Sequence, residues 1–155
     1  KRLLQHERSG MASLLQGGTS KGKSNLSSIA KDYLGEAGGK IADSAMRDQV
    51  LHYEMAQRSL NLTKRRVIEE SADGATPGPA TSIFKVMSTD LEKIYSDLAT
   101  GLRGSQGFGW EGDAFTDNEL EDMRVLLSSR AASIYSGSNE IQRNIIAKRV
   151  LGLPD

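Results

Sequence analysis

The sequence predicts an all-α fold, an antiparallel up-and-down four-helix bundle with an additional short C-terminal helix. Three observations carry that prediction. The three prolines, at positions 77, 79 and 154, all fall at segment edges. Between the breakers, apolar residues recur at three- and four-residue steps rather than in the alternation of a strand. The joints are short, which makes antiparallel neighbours the economical arrangement. At 155 residues the chain has the length of one domain, and a chain of that size buries roughly 70% of the surface it exposes when unfolded.

Residues 1–15 read as a short helix, broken by "QGGTSKGKS". The stretch "NLSSIAKDYLGEAGG" resumes helix and is expected to stop at Gly38 and Gly39, since a glycine pair ends a helix readily. From Asp43 a long helix runs to about Ser71, with Met46, Val50, Tyr53, Leu60 and Val67 on one stripe and charge on the other face. A third helix opens after "TPGP" and aligns Ala80, Ile83, Met87, Leu91, Ile94, Leu98 and Leu102 along one seam. It closes in "RGSQGFGWEGD", a glycine-rich loop holding the only tryptophan, Trp110. Thr116 and Glu119 have capping-box spacing, so a fourth helix begins near Asp117 and carries Leu120, Met123, Leu127, Ala131 and Ile134. A "YSGS" turn leads to a fifth helix, which runs to about Leu151 and ends at Gly152 and Pro154.

Twenty Lys plus Arg balance twenty Asp plus Glu. No global field therefore steers the chain toward nucleic acid or an anionic membrane. The absence of cysteine removes disulfides, thiolate nucleophiles and Cys-ligated metal, and fits a reducing, cytoplasmic setting. No apolar run approaches the ~20 residues of a membrane span, and "KRLLQHERSG" holds no secretory core, so a soluble protein is expected. The chain starts at Lys1, directly in apolar-periodic sequence, which suggests the back part of something longer.

Few residues declare chemistry by themselves. "GSQGFG" follows a helix rather than a strand, so it reads as a helix stop and connector and not as a dinucleotide fingerprint. "GGTSKGKS" lacks the full phosphate-loop spacing. His6 and His52 have no carboxylate or second histidine at zinc-ligand spacing. In the turn, Ser138 can cap the last helix, with Glu140 in its first turn near the positive end of the dipole. Ser136, the variable position of that turn, cannot take a proton from carbon at neutral pH. Glu7 and Arg8, taken alone, read as a solvated or salt-bridged pair.

Three blocks together, "SRAASIYSGSNEIQRNIIAKRVLGLP", "GPATSIFKVMSTDLEKIYSDLATGLRG" and "LLQHERSG", closely resemble the C-terminal α-helical domain of acyl-CoA dehydrogenases. The last block is the most specific, because the family carries Tyr-Glu-Gly-Thr-x-x-Ile-Gln-Arg or close variants there. The long loop before residue 40 and the missing Arg-x-x-Phe-Gly motif look like a branch of bacterial paralogues found among lipid and sterol degraders. The resemblance implies a single C-terminal helical domain over residues 1–155, preceded in such enzymes by an N-terminal helical and a middle β domain. It implies an FAD enzyme that converts an acyl-CoA to the trans-2-enoyl-CoA, passes electrons to an electron-transfer flavoprotein, and works as a homo- or hetero-oligomer, a dimer or tetramer.

Many members place the catalytic Glu directly after the turn tyrosine, where this chain has Ser136. Another branch places the base on the first helix of the domain in a Glu-Arg pair, which "HERSG" matches at Glu7 and Arg8. The resemblance therefore implies Glu7 as base, Arg8 beside the acyl-CoA and Gly137 lining the pocket. It further implies FAD contacts from Ser138, Asn139 and Glu140, from Gly104 across a subunit interface, and from Arg47. The alternatives within this frame are a non-catalytic structural subunit of a heteromeric dehydrogenase, or an acyl-CoA oxidase or flavin monooxygenase relative.

Overall fold

The computed structural model describes residues 24–70 and 80–154, and the ends of the helices in these segments follow from local chemistry. The helix expected over 1–15, and with it Glu7 and Arg8, lies outside the described residues, as does "TPGP". Helix α1 spans Leu26–Leu34 and is capped by Asn25, whose Oδ1 accepts from the Ser28 amide at 3.0 Å. It stops at Gly35 (φ 85°) rather than at the later glycine pair. Gly38 and Gly39 (φ 57° and 78°) instead form the two-residue turn of a small antiparallel hairpin, β1 Glu36–Ala37 against β2 Lys40–Ile41. Two consecutive positive-φ positions are what a type I′ hairpin turn requires, and a Gly-Gly pair supplies them without steric cost. Among the described residues this strand pair is the exception to an otherwise helical pattern.

Helix α2, Ser44–Glu70, begins where Asp43 Oδ1 accepts from the Met46 amide. Its predicted stripe faces inward: Val50 and Leu60 are buried, and Met46, Tyr53 and Val67 are half-buried. Helix α3, Ala80–Leu102, is the centre of the molecule and meets α1, α2, the later helices and the 3₁₀ segment Gly104–Phe108. One core cluster joins Leu26, Ile29, Ile41, Val50, Tyr95, Leu98 and Leu102; a second joins Leu60, Phe84 and Leu91. Because α3 is gripped from several sides, its buried arc is wider than the predicted seam. It includes Phe84, Val86 and Ala99, whereas Met87 and Ile94 of the seam stay exposed. Gly107 explains part of the connector "GSQGFG": a Cβ there would stand 2.2 Å from the Thr100 carbonyl oxygen, so the 3₁₀ segment lies directly on α3.

Helix α4, Asp117–Ala132, opens with the predicted capping box between Thr116 and Glu119. Its inward face departs from expectation. Leu127 and Ile134 are exposed and Leu120 and Met123 only half-buried, while Glu119, Asp122, Ser129 and Ala132 are buried. The physical reason is that α3 and α1 offer polar partners to α4. Ser129 Oγ meets Ser96 Oγ at 3.0 Å, and small residues at that contact let the two backbones approach. Arg103 donates to Asp122 Oδ2 through Nε at 3.1 Å and Nη2 at 2.6 Å, and through Nη1 to the Tyr33 hydroxyl at 3.0 Å.

The Tyr33 hydroxyl in turn donates to Glu119 Oε1 at 2.5 Å, while Glu119 Oε2 accepts from the Thr116 amide at 2.6 Å. The Tyr33 hydrogen bond, then the Thr116 amide, hold the Glu119 carboxyl below its ordinary value of 4.5. A depressed carboxylate contributes stability that is present above the unfolded-state pKa and lost as pH falls through the folded one. The gap in unfolding midpoint between wild type and Glu119→Gln should therefore be largest near neutral pH and shrink on acidification below about pH 4.5. Denaturant titrations at several pH values measure it.

Helix α5, Asn139–Ile145, continues as a π-helical turn over Ile146–Val150, in which the Leu151 amide donates to the Ile146 carbonyl. The helical stretch thus ends within one residue of the predicted limit, ahead of Gly152 (φ 65°). No helix among the described residues is long and apolar enough to cross a membrane.

Candidate functional site

The reversal between α4 and α5 is built from both ends. At its start the Ile134 and Tyr135 amides both donate to the Ala131 carbonyl, at 2.9 and 3.1 Å. At its end the Asn139 amide donates to the Ser133 carbonyl at 3.0 Å. Between them Ser136 has φ 57°, the only non-glycine residue with positive φ among the described residues, and Gly137 follows at φ 91°. Two left-handed residues in succession turn the chain sharply and leave the Ser136 side chain exposed. At Gly137 the φ angle favours glycine, and the Gln142 amide takes the space a side chain would enter, its Nε2 2.8 Å from where a Cβ would stand.

The predicted site residues around this turn have different surroundings. Ser138 occupies the N-cap position of α5, yet its hydroxyl makes no capping bond to the helix amides. That corrects the expected cap: Glu140 takes over, its carboxylate held below the ordinary range by its own backbone amide and then by the Ser138 hydroxyl. The Glu140 side chain faces solvent. Asn139 is buried, and its Nδ2 donates to Thr89 Oγ1 at 3.1 Å and Asp90 Oδ1 at 3.2 Å. Its amide therefore binds the turn to α3.

Gly104 and Arg47 belong to the other end of α3. Gly104 (φ 57°) follows Leu102 and Arg103, and the run from Thr89 to Leu102 is about 20 Å at 1.5 Å per residue. Arg47 donates through Nη1 to the Ile41 carbonyl at 3.0 Å, and Ile41 is in the core cluster with Leu98 and Leu102. Within one chain, then, the structure brings 137–140 together and holds Gly104 and Arg47 apart from them. His52 is exposed and bonded to the Asp48 carbonyl. Among the described residues no group of three or more His, Cys, Asp or Glu side chains could hold a metal.

Sequence reasoning missed Lys85, Thr89 and Gln142. Each is buried, and the Gln142 Oε1 has no hydrogen-bond partner, an oxygen beside the turn with capacity to accept. The available signal was a lysine interrupting the apolar run of "IFKVM", with Thr89 one helical turn on. With Ser136, Gly137 and Glu140 exposed, Ser138 half-buried and Asn139 buried beneath them, the turn presents bare backbone and short polar side chains, a surface that suits a polar cofactor.

A profile described as "Acyl-CoA dehydrogenase, C-terminal domain" matches residues 1–151. Two curated relatives are both named acyl-CoA dehydrogenase IpdE1. The one from Mycolicibacterium smegmatis is 42% identical over 73 residues, 47% of this chain and 18% of its own length. The one from Mycobacterium tuberculosis is 36% identical over 99 residues, 59% of this chain and 24% of its own length. The chain thus spans about a quarter or less of the relatives it matches. Among solved structures, a chain of the ChsE4-ChsE5 complex from Mycobacterium tuberculosis is similar in fold, with TM-score 0.65 at 20% identity, covering 94% of this chain and 36% of that one.

Proposed function

The chain belongs to the acyl-CoA dehydrogenase family through its C-terminal domain, and from that premise we propose that it forms the helical end of a flavin-dependent enzyme converting an acyl-CoA to its trans-2-enoyl-CoA. The observation that carries this reading is the turn itself: a rigidly held reversal, with Ser136 exposed in a left-handed conformation at the position where many family members carry their base. The α-proton of a thioester is too weakly acidic for a serine hydroxyl to remove. A desolvated carboxylate is required, and Glu7 is the proposed base, with Arg8 beside the acyl-CoA. Ser136 is small and leaves room for a carboxylate arriving from another helix. Gly137 lines the acyl pocket, and Ser138 and Glu140 hold the cofactor edge while Asn139 anchors them to α3.

When bound, FAD supplies the acceptor for the β-hydrogen and an absorbance that reports on the reaction. Gly104 and Arg47, remote from the turn, are proposed to meet the cofactor of a neighbouring subunit. The proposed complete domain is an antiparallel up-and-down bundle with residues 1–15 as a further helix, preceded by N-terminal helical and middle β domains. The exposed apolar side chains Leu127, Ile134, Ile141 and Leu151 are proposed to be covered in an oligomer. An electron-transfer flavoprotein is the proposed acceptor and the cytoplasm the proposed location.

A second reading, a subunit without its own base in a heteromeric enzyme, is favoured by the absence of a carboxylate at Ser136 and by a structural neighbour from a complex of two different proteins. The experiment is anaerobic mixing of the FAD-loaded full-length protein with a series of acyl-CoA thioesters. Bleaching of the flavin by a homo-oligomer of established mass supports the first reading. Bleaching only after a partner subunit is added overturns it for the second. Peroxide formed under air at the rate of turnover would identify an oxidase instead.

A further inference from the structure

Lys85 lies between Phe84 and Val86 on the central helix and is only 4% exposed. Among the described residues no carboxylate stands in ion-pair contact with it; Asp90 and Glu92 act on it only at longer range. Its Nζ donates instead to the Ala132 carbonyl at 2.5 Å and lies 5.6 Å from the centre of the Tyr135 ring. Ala132 is the last residue of α4, so the ammonium sits at the negative end of that helix's dipole. The Tyr135 ring face adds a second attraction for the cation. Burial, then Lys93, lower the pKa of the amine, so the site keeps a lysine where an apolar residue would fill the space without that cost.

One helical turn farther along the same face, Thr89 and Asp90 hold Asn139, the first residue of α5. Two successive rungs of α3 therefore grip the two ends of the reversal that contains Ser136 and Gly137. Hydrogen bonds within the turn tie Tyr135 to Ala131 and Asn139 to Ser133, and among the described residues α3 supplies the side-chain hydrogen bonds that tie its two ends, Ala132 and Asn139, to the rest of the domain.

We propose that Lys85 is a positioning residue: by holding the Ala132 carbonyl and the Tyr135 ring it fixes where Ser136 and Gly137 stand against the acyl thioester. This rests on the dehydrogenase reading above, and its test separates the two. Hydrogen–deuterium exchange at the Tyr135 and Asn139 amides of the full-length protein without FAD reports on the turn. Rapid-mixing flavin reduction in the FAD-loaded protein reports on the chemistry.

In Lys85→Met, exchange at both amides should rise about tenfold or more while amides of the α2 and α3 core keep their protection. The limiting rate constant for flavin reduction should fall roughly 10–100-fold, with little change in half-saturation by acyl-CoA, because misplacement of a reacting group lowers the rate more than it weakens binding. Lys85→Arg, which retains the cation and its donors, should recover most of both. Unchanged exchange at the turn in folded Lys85→Met overturns the proposal, and so does exchange that rises uniformly through the core. If Lys85→Met fails to fold, Tyr135→Leu, a change to an exposed ring, carries the test: exchange at the turn must still rise, and an unchanged pattern overturns the proposal. Localised exchange in a protein whose flavin no acyl-CoA reduces supports the grip on the turn and overturns the dehydrogenase reading alone.

Discussion

Replacing Glu7 by Gln in the full-length protein is expected to slow flavin reduction by acyl-CoA about 10²–10⁴-fold, the contribution typical of a positioned general base. Glutamine preserves size and hydrogen bonding but cannot accept the α-proton, so binding of the acyl-CoA should change little. The same measurement can place a carboxylate at the alternative position. In Glu7→Gln/Ser136→Glu the new carboxylate would follow Tyr135, as in many family members, and partial recovery of the rate is expected. The backbone at Ser136 is left-handed (φ 57°), and a non-glycine residue there costs roughly 1–2 kcal/mol relative to an ordinary helical conformation. Serine already bears most of that strain, so the substitution should fold. Turnover by Glu7→Gln at the wild-type rate would sink the assignment of the base.

Arg103→Met should destabilise the protein by about 3–5 kcal/mol, seen as a lower urea midpoint. The Arg103 and Asp122 side chains are 6% and 7% exposed, and their shortest contact is 2.6 Å. Truncating the arginine leaves the Asp122 carboxylate buried without its charge partner and also removes a donor and a stacking surface from Tyr33, whose ring centre lies 5.2 Å from the guanidinium. The penalty is chiefly that of an uncompensated buried charge. Arg103→Met/Asp122→Leu, which removes both charges, should therefore recover most of the loss. If the double variant is no more stable than Arg103→Met, the loss belongs to the guanidinium's contacts with Tyr33 rather than to the stranded carboxylate.

Local chemistry, legible in the sequence, determined the mostly helical character of the described residues, the long α2 with its inward stripe, the Thr116–Glu119 capping box and the reversal at "YSGS". Each of these depends on residues within one or two helical turns of each other, where spacing and side-chain type decide the outcome. The family likeness in the last block was equally legible, because the turn and the helix after it are contiguous in the chain.

Tertiary structure decided what faces what. Helix α4 turns Glu119, Asp122 and Ser129 inward and leaves Leu127 outside because Tyr33, Arg103 and Ser96 on other elements satisfy those polar groups. Apolar periodicity alone points the other way, since a polar residue's cost of burial is set by partners that may be 86 residues distant, as Tyr33 is from Glu119. The same holds at the site. Ser136 and Gly137 were visible as a turn, but what holds that turn, Lys85 at one end and Thr89 with Asp90 at the other, lies about 50 residues upstream in a helix that sequence pattern reads as an apolar seam. Burial of an ammonium or an amide depends on a donor and acceptor being brought within about 3 Å, and only the folded chain brings these together.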